Sequence, residues 1–343
     1  MELYNDNLSN LENKGFRKPG IPMTGIVYSI VVTLFITIAY RVQHKNFYLG
    51  VLATEIILIM LPPLIALFIF KYDIKKVLRL NKIGVINLLL IFCIMVFSIP
   101  VVGAFNLANL WLVKYIFGKA VLVQPPIASG YGGLLLSVLV VGVSAGVCEE
   151  VLFRGFIQRG LEKFGAGTSI LISAFLFSIM HVQFEKLFGT FLLGTLIGFI
   201  VYRTNSLYGG IFAHFVNNTI GVLVLFASSK LSEFAKLSGV EPATDVGQIF
   251  ESFENMPLPQ LIIIIVVWSF IILTCAAILA ALVFALIKNT SKPQSAMASG
   301  NAGLFTFLPG IFIISSMYFL EGLMLKGVEN STAEFILRIL GAK

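Results

Sequence analysis

Charged residues are scarce in this chain, making up 12% of its 343 residues, whereas soluble domains usually contain about 25%. The apolar share is 58%, above the usual range of about 45–50%, so a water-soluble globular protein is excluded. Glycine has no period and phenylalanine is abundant, which excludes collagen-like and disordered chains. Cysteine is rare as well. Cys93, Cys148 and Cys275 all lie in apolar runs and indicate neither a disulfide framework nor a zinc framework.

Long apolar runs are what this sequence has in excess. A helix needs about 20 apolar residues to cross a bilayer, and the runs lack the short alternation of transmembrane β-strands. We therefore predict an all-α, polytopic membrane bundle with eight or nine transmembrane helices, the last weakened by Glu321 near its end. The first run is too long for a signal peptide and no cleavage site follows it. The predicted spans are 24–42, 49–70, 85–105, 132–158, 168–182, 187–202, 207–227, 261–287 and 304–325.

These spans suggest five regions along the chain. Residues 1–23 form a polar tail, and 24–131 hold the first membrane helices with a basic segment at 71–84. A central region at 132–228 contains polar residues within its spans. An acidic loop is expected at 229–260, and the last helices and tail occupy 261–343.

The net charge of +7 is interpreted as membrane orientation, with no nucleic-acid partner. If all nine runs cross the membrane, the N-terminus and even-numbered loops hold 14 of the 24 Lys and Arg residues when Arg154, inside the span 132–158, is counted with the loop that follows it. This bias predicts a cytoplasmic N-terminus. Segment 71–84 alternates basic and aliphatic residues at near-helical spacing. It is expected either to lie on the inner leaflet against anionic lipids or to be an ordinary positive-inside loop.

Polar residues interrupt three of the predicted spans. An ionisable side chain at the centre of a span costs about 2.5–3.5 kcal/mol on insertion scales, so such residues are rare and usually functional. At 1.5 Å per residue from the side of the membrane that bears the loops near 159–167 and 203–206, Glu149 lies about 15 Å deep, His181 about 21 Å and His214 about 12 Å. In a hydrocarbon core of about 30 Å, all three lie near mid-membrane. These depths predict one buried polar site.

Spacing within each helix assigns these polar side chains to faces. Glu150 and Arg154 are four residues apart, so they share a face and can form an ion pair. His214 and Asn218 are also four apart. Glu149 points about 100° away from Glu150 and is left to face a cavity. A carboxylate near an imidazole in low dielectric has the properties of a general base for water.

Each residue also has a purely structural interpretation. The Glu150–Arg154 pair could only fix helix packing, and a single histidine or Asn218 could hydrogen-bond a neighbouring helix. Phe177 could pack in the core or face lipid. These interpretations do not account for five polar groups at one depth.

Three motifs together resemble those of the CPBP family, the intramembrane CAAX proteases and bacteriocin-processing enzymes, also called the Abi family. They are Glu-Glu-x-x-x-Arg at 149–154, Phe-x-x-x-His at 177–181 and His-x-x-x-Asn at 214–218. All lie in order within 132–228, which we interpret as a catalytic CPBP-like core, while the flanking helices show no comparable match. The resemblance implies proteolysis of a membrane-embedded or lipidated peptide.

The resemblance also implies roles for single residues. Glu149 would activate the hydrolytic water with help from His181, and His214 with Asn218 would stabilise the oxyanion. The Glu150–Arg154 ion pair would support these catalytic residues. The family has also been described as metal-dependent, and Glu149, His181 and His214 could hold zinc with an open position. Glutamate-only and metal-dependent hydrolysis both stay open, with the former favoured.

Motifs of other intramembrane proteases are absent from the sequence. It contains no His-Glu-x-x-His and no Gly-x-Gly-Asp, and residues 142–145 fail the Gly-x-Ser-Gly pattern at the last position. A CAAX-like protease is therefore the favoured hypothesis, with a non-catalytic scaffold or bacteriocin self-immunity factor of the same fold as the alternative. A transporter would bind solute at such a midplane cluster, but no inverted repeat is visible. The composition suggests a bacterial cell membrane; it specifies neither substrate nor oligomeric state.

Overall fold

The computed structural model describes residues 17–121, 125–126, 130–238, 246–291 and 303–327. Within these ranges every regular element is helical, and eight helices are long and apolar enough to cross a membrane. A ninth apolar helix is shorter. The protein is therefore a multi-pass, all-α membrane bundle, which confirms the predicted fold class. The helices are α1 Ile21–Lys45, α2 Phe47–Ile69, α3 Val85–Phe117, α4 Gly130–Phe164, α5 Ala166–Ile179, α6 Phe184–Thr204, α7 Leu207–Leu237, α8 Leu258–Asn289 and α9 Leu304–Leu325.

The interval 229–260, predicted as an acidic loop, is helical over most of its described length. Helix α7 continues to Leu237, and a separate helix, Val246–Glu254, precedes α8. Lys and Glu are good helix formers, so the polar composition of residues 229–237, which contain no Gly or Pro, does not end α7. The loop prediction was therefore wrong for these segments. Residues 1–16, 239–245 and 328–343 of the predicted tails and loop lie outside the described residues.

The fifth predicted span, 168–182, ends three residues beyond its helix. Helix α5 ends at Ile179, and a turn follows in which the His181 backbone N–H donates to the Ser178 carbonyl at 3.2 Å. Val182 has a left-handed backbone with φ of 48°, which ends the helical path. Fourteen residues rise only about 21 Å, less than the hydrocarbon thickness of about 30 Å. The chain therefore reverses between α5 and α6 at membrane depth, and this reversal carries His181.

Polar groups from distant helices hold this reversal. Backbone groups at membrane depth need partners within the protein because lipid supplies none. Glu321 of α9 accepts the Phe184 N–H at 3.2 Å through both carboxylate oxygens, and Asn109 of α3 donates its Nδ2 to the Phe184 carbonyl at 2.7 Å. The Ser178 hydroxyl donates to the Leu187 carbonyl at 2.6 Å. Glu321, which weakens the ninth span by composition, thus has a structural partner.

Replacing Glu321 by leucine is expected to lower the free energy of unfolding by about 1–3 kcal/mol, because the partly buried Phe184 N–H loses its acceptor. Glu321→Gln keeps an acceptor oxygen and should cost clearly less. Thermal unfolding of both variants in detergent micelles, followed by intrinsic fluorescence, measures the difference. Equal melting temperatures for Glu321→Leu and the unmodified protein would contradict this role.

Helices α4 and α7 approach closely at two glycines of α4. A Cβ at Gly146 would lie 3.3 Å from the Phe215 backbone nitrogen and 3.5 Å from the Ile211 carbonyl oxygen. A Cβ at Gly142, one turn earlier, would lie 3.0 Å from the Thr219 hydroxyl. Small residues four apart allow membrane helices to come into backbone contact. This contact brings the first and third motifs together.

Gly146→Val is expected to destabilise the fold by about 1–3 kcal/mol, because the new side chain meets the α7 backbone, which cannot move aside as a flexible side chain would. Gly103→Val in α3 is the matched control, since a Cβ there meets nothing within 4 Å. Thermal unfolding of both variants tests the contact. Melting temperatures lowered equally by the two substitutions would show that the helix approach is not the cause.

The basic segment 71–84 contains one short helix, Ile74–Val77, whose N-terminus is capped by the Asp73 carboxylate accepting the Lys76 N–H at 3.1 Å. Arg79, with φ of 50°, breaks the expected helical pattern. Its side chain is 2% exposed and forms an ion pair with Glu162. Burial lowers the pKa of Arg79, and the Glu162 carboxylate opposes that shift. Arg79 therefore does not face lipid headgroups. The exposed basic residues of the segment are Lys71, Lys75, Lys76 and Lys82.

Candidate active site

An ion pair between Glu150 and Arg154 lies at the centre of the bundle. Arg154 Nη1 donates to Glu150 Oε1 at 2.7 Å, and both side chains are 0% exposed. Arg154 Nη2 donates to the Gly194 carbonyl of α6 at 3.1 Å, and its guanidinium lies 4.6 Å from the centroid of the Phe177 ring. The pair on α4 is thereby tied to α5 and α6.

His214 of α7 joins this pair from the other side. Its Nδ1 lies 2.9 Å from Glu150 Oε1, and because a carboxylate accepts, Nδ1 is the donor. Its Nε2 lies 3.7 Å from Glu149 Oε2, which is too long for a hydrogen bond. Glu150 thus accepts hydrogen bonds from Arg154 and His214, whereas Glu149 accepts none from either residue.

Glu149 faces a cavity of about 600 Å³, here called the site cavity. Its side chain is 16% exposed, against 0% for Glu150. In both carboxylates Oε2 has no hydrogen-bond partner among the described residues, but Glu150 Oε1 accepts from Arg154 and His214. The two adjacent carboxylates therefore occupy different environments. Polar residues that line the site cavity are Gln43, Glu55, Glu149, His181, Gln183, Lys186, Thr190, His214, Asn217 and Asn218.

His181 enters the site cavity from the reversal after α5. Its Nδ1 lies 3.0 Å from the Phe177 carbonyl oxygen, and since a carbonyl only accepts, this nitrogen carries a proton. In a neutral ring, Nε2 is then the nitrogen that can accept. The Phe177 ring is 2% exposed and stands edge-on to His181 at 4.9 Å and to His214 at 5.8 Å between centroids. Phe177 is therefore core packing that separates and orients the two imidazoles; it does not face lipid.

Asn218 lies one turn beyond His214 on the wall of the site cavity. Its Nδ2 donates to the Val141 carbonyl at 3.0 Å, and its Oδ1 accepts from Asn217 Nδ2 at 3.1 Å. An amide nitrogen carries two protons, so one can face the cavity. Four of the six residues singled out from the sequence thus line one cavity, and the Glu150–Arg154 pair lies behind them.

The zinc set considered from the sequence was Glu149, His181 and His214. Among the residues the structure describes, no group of three His, Cys, Asp or Glu side chains is placed to hold a metal ion. The Nδ1 atoms of both histidines are engaged by protein acceptors, so Nε2 is the nitrogen of each ring that can reach a ligand in the cavity. Because no group of three metal-binding side chains is formed among the described residues, no chemical step is derived through a metal.

Comparison with known families gives a match for the central part of the chain, which contains the three motifs. Residues 131–220 match the family described as Rce1-like, type II CAAX prenyl endopeptidase, over just over a quarter of the chain. This segment is of the CAAX intramembrane protease family. The match confirms the resemblance drawn from the motifs and supports a CAAX-type protease. No curated protein and no solved structure matches the chain. The CAAX protease segment contains α4, α5, α6 and the part of α7 with both His214 and Asn218.

Glu55 of α2 was missed from the sequence, although it lines the site cavity of the CAAX protease segment from outside that segment. Its side chain is 6% exposed, and it lies at the start of a π-helical stretch, Thr54–Met60. Such stretches often mark functional positions. A sequence signal was present, since Glu55 is the one charged residue in the predicted span 49–70. The same rule that singled out Glu149 applies to it.

Proposed function

We propose that the protein is an intramembrane endopeptidase that hydrolyses a peptide bond in a membrane-embedded or lipidated peptide by glutamate-activated water. The observation that carries this proposal is the division between the adjacent carboxylates. Glu150 is fully buried and neutralised by Arg154, whereas Glu149 faces the site cavity beside His181 and His214. A partly exposed carboxylate on the wall of a low-dielectric cavity is suited to remove a proton from water.

The proposed reaction has two proton transfers. Glu149 takes a proton from water as the water oxygen attacks the scissile carbonyl carbon, which gives a tetrahedral oxyanion. The C–N bond then breaks, and the proton held by Glu149 passes to the leaving amine. His181, with Nδ1 fixed on the Phe177 carbonyl, offers Nε2 to accept a hydrogen bond from the attacking water.

Two donors are proposed for the oxyanion. The free N–H of Asn218 is one, because the other proton of the same nitrogen is held by the Val141 carbonyl. His214 is the second, and since its Nδ1 already donates to Glu150, Nε2 can donate only when the ring is doubly protonated. Preorganised donors of this kind are worth about 2.7–4 kcal/mol each in acyl transfer.

Comparative peptidomics tests the proposed function and reports the substrate. Cells carrying the unmodified protein, Glu149→Gln or the control Glu233→Gln are compared, Glu233 being an exposed residue of α7. We expect peptides that appear with the unmodified protein and with Glu233→Gln, and disappear with Glu149→Gln. Identical peptide profiles in all three, at equal protein levels, would favour a non-catalytic scaffold or immunity role.

The surroundings of the enzyme are part of the same proposal. The exposed lysines of segment 71–84 support a contact with anionic lipids, although Arg79 takes no part in it. The distribution of basic residues supports a cytoplasmic N-terminus, and a composition rich in Ile, Lys, Asn and Phe supports a bacterial cell membrane.

A further inference from the structure

A second, smaller cavity adjoins the site cavity. It has a volume of about 180 Å³, and Glu149, His181 and Glu55 line both cavities. We call it the side cavity. Because the proposed general base stands on the boundary, a group that enters the side cavity lies next to the reacting bond. Apolar walls of the side cavity are formed by Phe35, Val51, Ile59, Phe153, Phe177 and Met180.

Glu55 is the acidic group that belongs to the side cavity without being explained by the catalytic motifs. Its side chain is 94% buried, and its Oε2 has no hydrogen-bond partner among the described residues. No Lys, Arg or His within the described ranges lies within ion-pair distance of it. A buried carboxylate is costly unless it is paired or hydrogen-bonded.

The local backbone holds Glu55 at this position. The preceding residue, Thr54, donates its hydroxyl to the Gly50 carbonyl at 2.8 Å and accepts from Gln43 Nε2 at 3.2 Å. Gln43 itself lines the side cavity. These hydrogen bonds fix α1 and α2 to each other beside the carboxylate, so Glu55 has a defined position in the wall of the side cavity.

The volume and the lining residues of the side cavity indicate which kind of ligand it can bind. A volume of 180 Å³ has room for about six water-sized groups at roughly 30 Å³ each. The five heavy atoms of a lysine side chain fill such a space. Lysine and arginine combine an apolar stem with a cationic end, which matches apolar walls with a carboxylate among them. A metal ion fits less well, because the described residues do not group three metal-binding side chains there.

We propose that the side cavity is a specificity subsite that receives a Lys or Arg side chain of the substrate residue next to the scissile bond, with Glu55 as its counter-ion. This inference rests on the proposed protease function, which it deepens by naming a substrate class. Glu55 binds substrate without taking part in the proton transfers assigned to Glu149.

Cleavage of defined peptides tests the subsite. The probes are two pools of N-acylated hexapeptides that differ only in a fixed central lysine or norleucine, whose stem lacks the charge. Protein reconstituted in vesicles should cleave the lysine pool at least tenfold faster. Glu55→Gln should lower kcat/KM for the lysine pool by about 10- to 100-fold, the usual value of a charge-assisted hydrogen bond, and leave the norleucine pool within twofold. Glu233→Gln is the matched control and should change neither pool.

Several results would overturn the subsite. Equal cleavage of both pools by the unmodified protein would do so, as would equal loss on both pools in a folded Glu55→Gln protein, which would indicate a general or structural role.

Binding separates failure of the subsite from failure of the protease function. Fluorescent versions of both pools are titrated onto Glu149→Gln protein and onto the Glu55→Gln/Glu149→Gln double variant. Tighter binding of the lysine pool that the double variant loses would support the subsite even if the unmodified protein cleaves neither pool. Equal binding of both pools to Glu149→Gln would reject the subsite, whatever the cleavage assay shows.

Discussion

Glutamine at position 149 is expected to lower the rate of peptide-bond cleavage by about 10²- to 10⁴-fold, the usual contribution of a positioned general base. The amide is nearly isosteric with the carboxylate and cannot remove a proton from water. Fold stability should change little, because Glu149 makes no ion pair with Arg154 and its Oε2 has no hydrogen-bond partner among the described residues. The measurement is the initial rate on the peptide identified by peptidomics, with protein in vesicles.

Glu149→Asp is the second variant for this position. It keeps the carboxylate and withdraws it by about one methylene, so it should retain more activity than Glu149→Gln. If Glu149→Gln and Glu149→Asp lose the same activity while both melt at the temperature of the unmodified protein, position rather than proton removal is the limiting feature.

Arg154→Met should produce the largest loss of stability, about 3–5 kcal/mol, because it leaves the Glu150 carboxylate buried without its cation. Glu150 is 0% exposed, and His214 Nδ1, at 2.9 Å, would be its remaining donor among the described residues. Methionine fills a similar apolar volume, so the loss of charge is the main change. Thermal or denaturant unfolding in micelles measures the loss.

A double-variant cycle identifies the cause of that loss. Glu150→Gln/Arg154→Met removes both charges and should be more stable than Arg154→Met alone, since no unpaired carboxylate remains. Lys230→Met, which breaks the exposed pair with Glu233, should leave the melting temperature unchanged. A double variant no more stable than the single Arg154→Met would show that packing around Phe177 is responsible.

Local periodicity made much of this structure predictable. The long apolar runs located the membrane helices, because crossing a bilayer requires a fixed length. The i,i+4 spacing placed Glu150 with Arg154 on one face of α4, and the difference of about 100° placed Glu149 on another. These relations depend on residues within one turn of a helix, so sequence alone contains them.

Long-range contacts could not be predicted in the same way. The reversal that carries His181 depends on Asn109 and Glu321, which lie 75 and 137 residues from Phe184 in sequence. The end of α5 is set by that turn, so the predicted span 168–182 ended three residues beyond the helix. Burial of Arg79 against Glu162 joins residues 83 apart, and segment 71–84 therefore presents only its lysines.

Glu55 is an omission of a different kind. A single acid within an apolar span of α2 satisfies the same criterion that identified Glu149, yet it belongs to none of the three motifs. All three motifs lie within residues 132–228, and none of them includes α2. The wall that α2 contributes to the site cavity appears only once the helices are packed together.

The cleavage rate of Glu149→Gln protein, measured on the same preparation as its melting temperature, tests the central claim most directly. For Glu149→Gln we predict an unchanged melting temperature and at least a 100-fold loss of cleavage rate. For Arg154→Met we predict that the main effect is a lower melting temperature, and that the cleavage rate falls at temperatures where the protein begins to unfold. A folded Glu149→Gln protein that cleaves the peptide at the rate of the unmodified protein would contradict the assignment of Glu149 as the base.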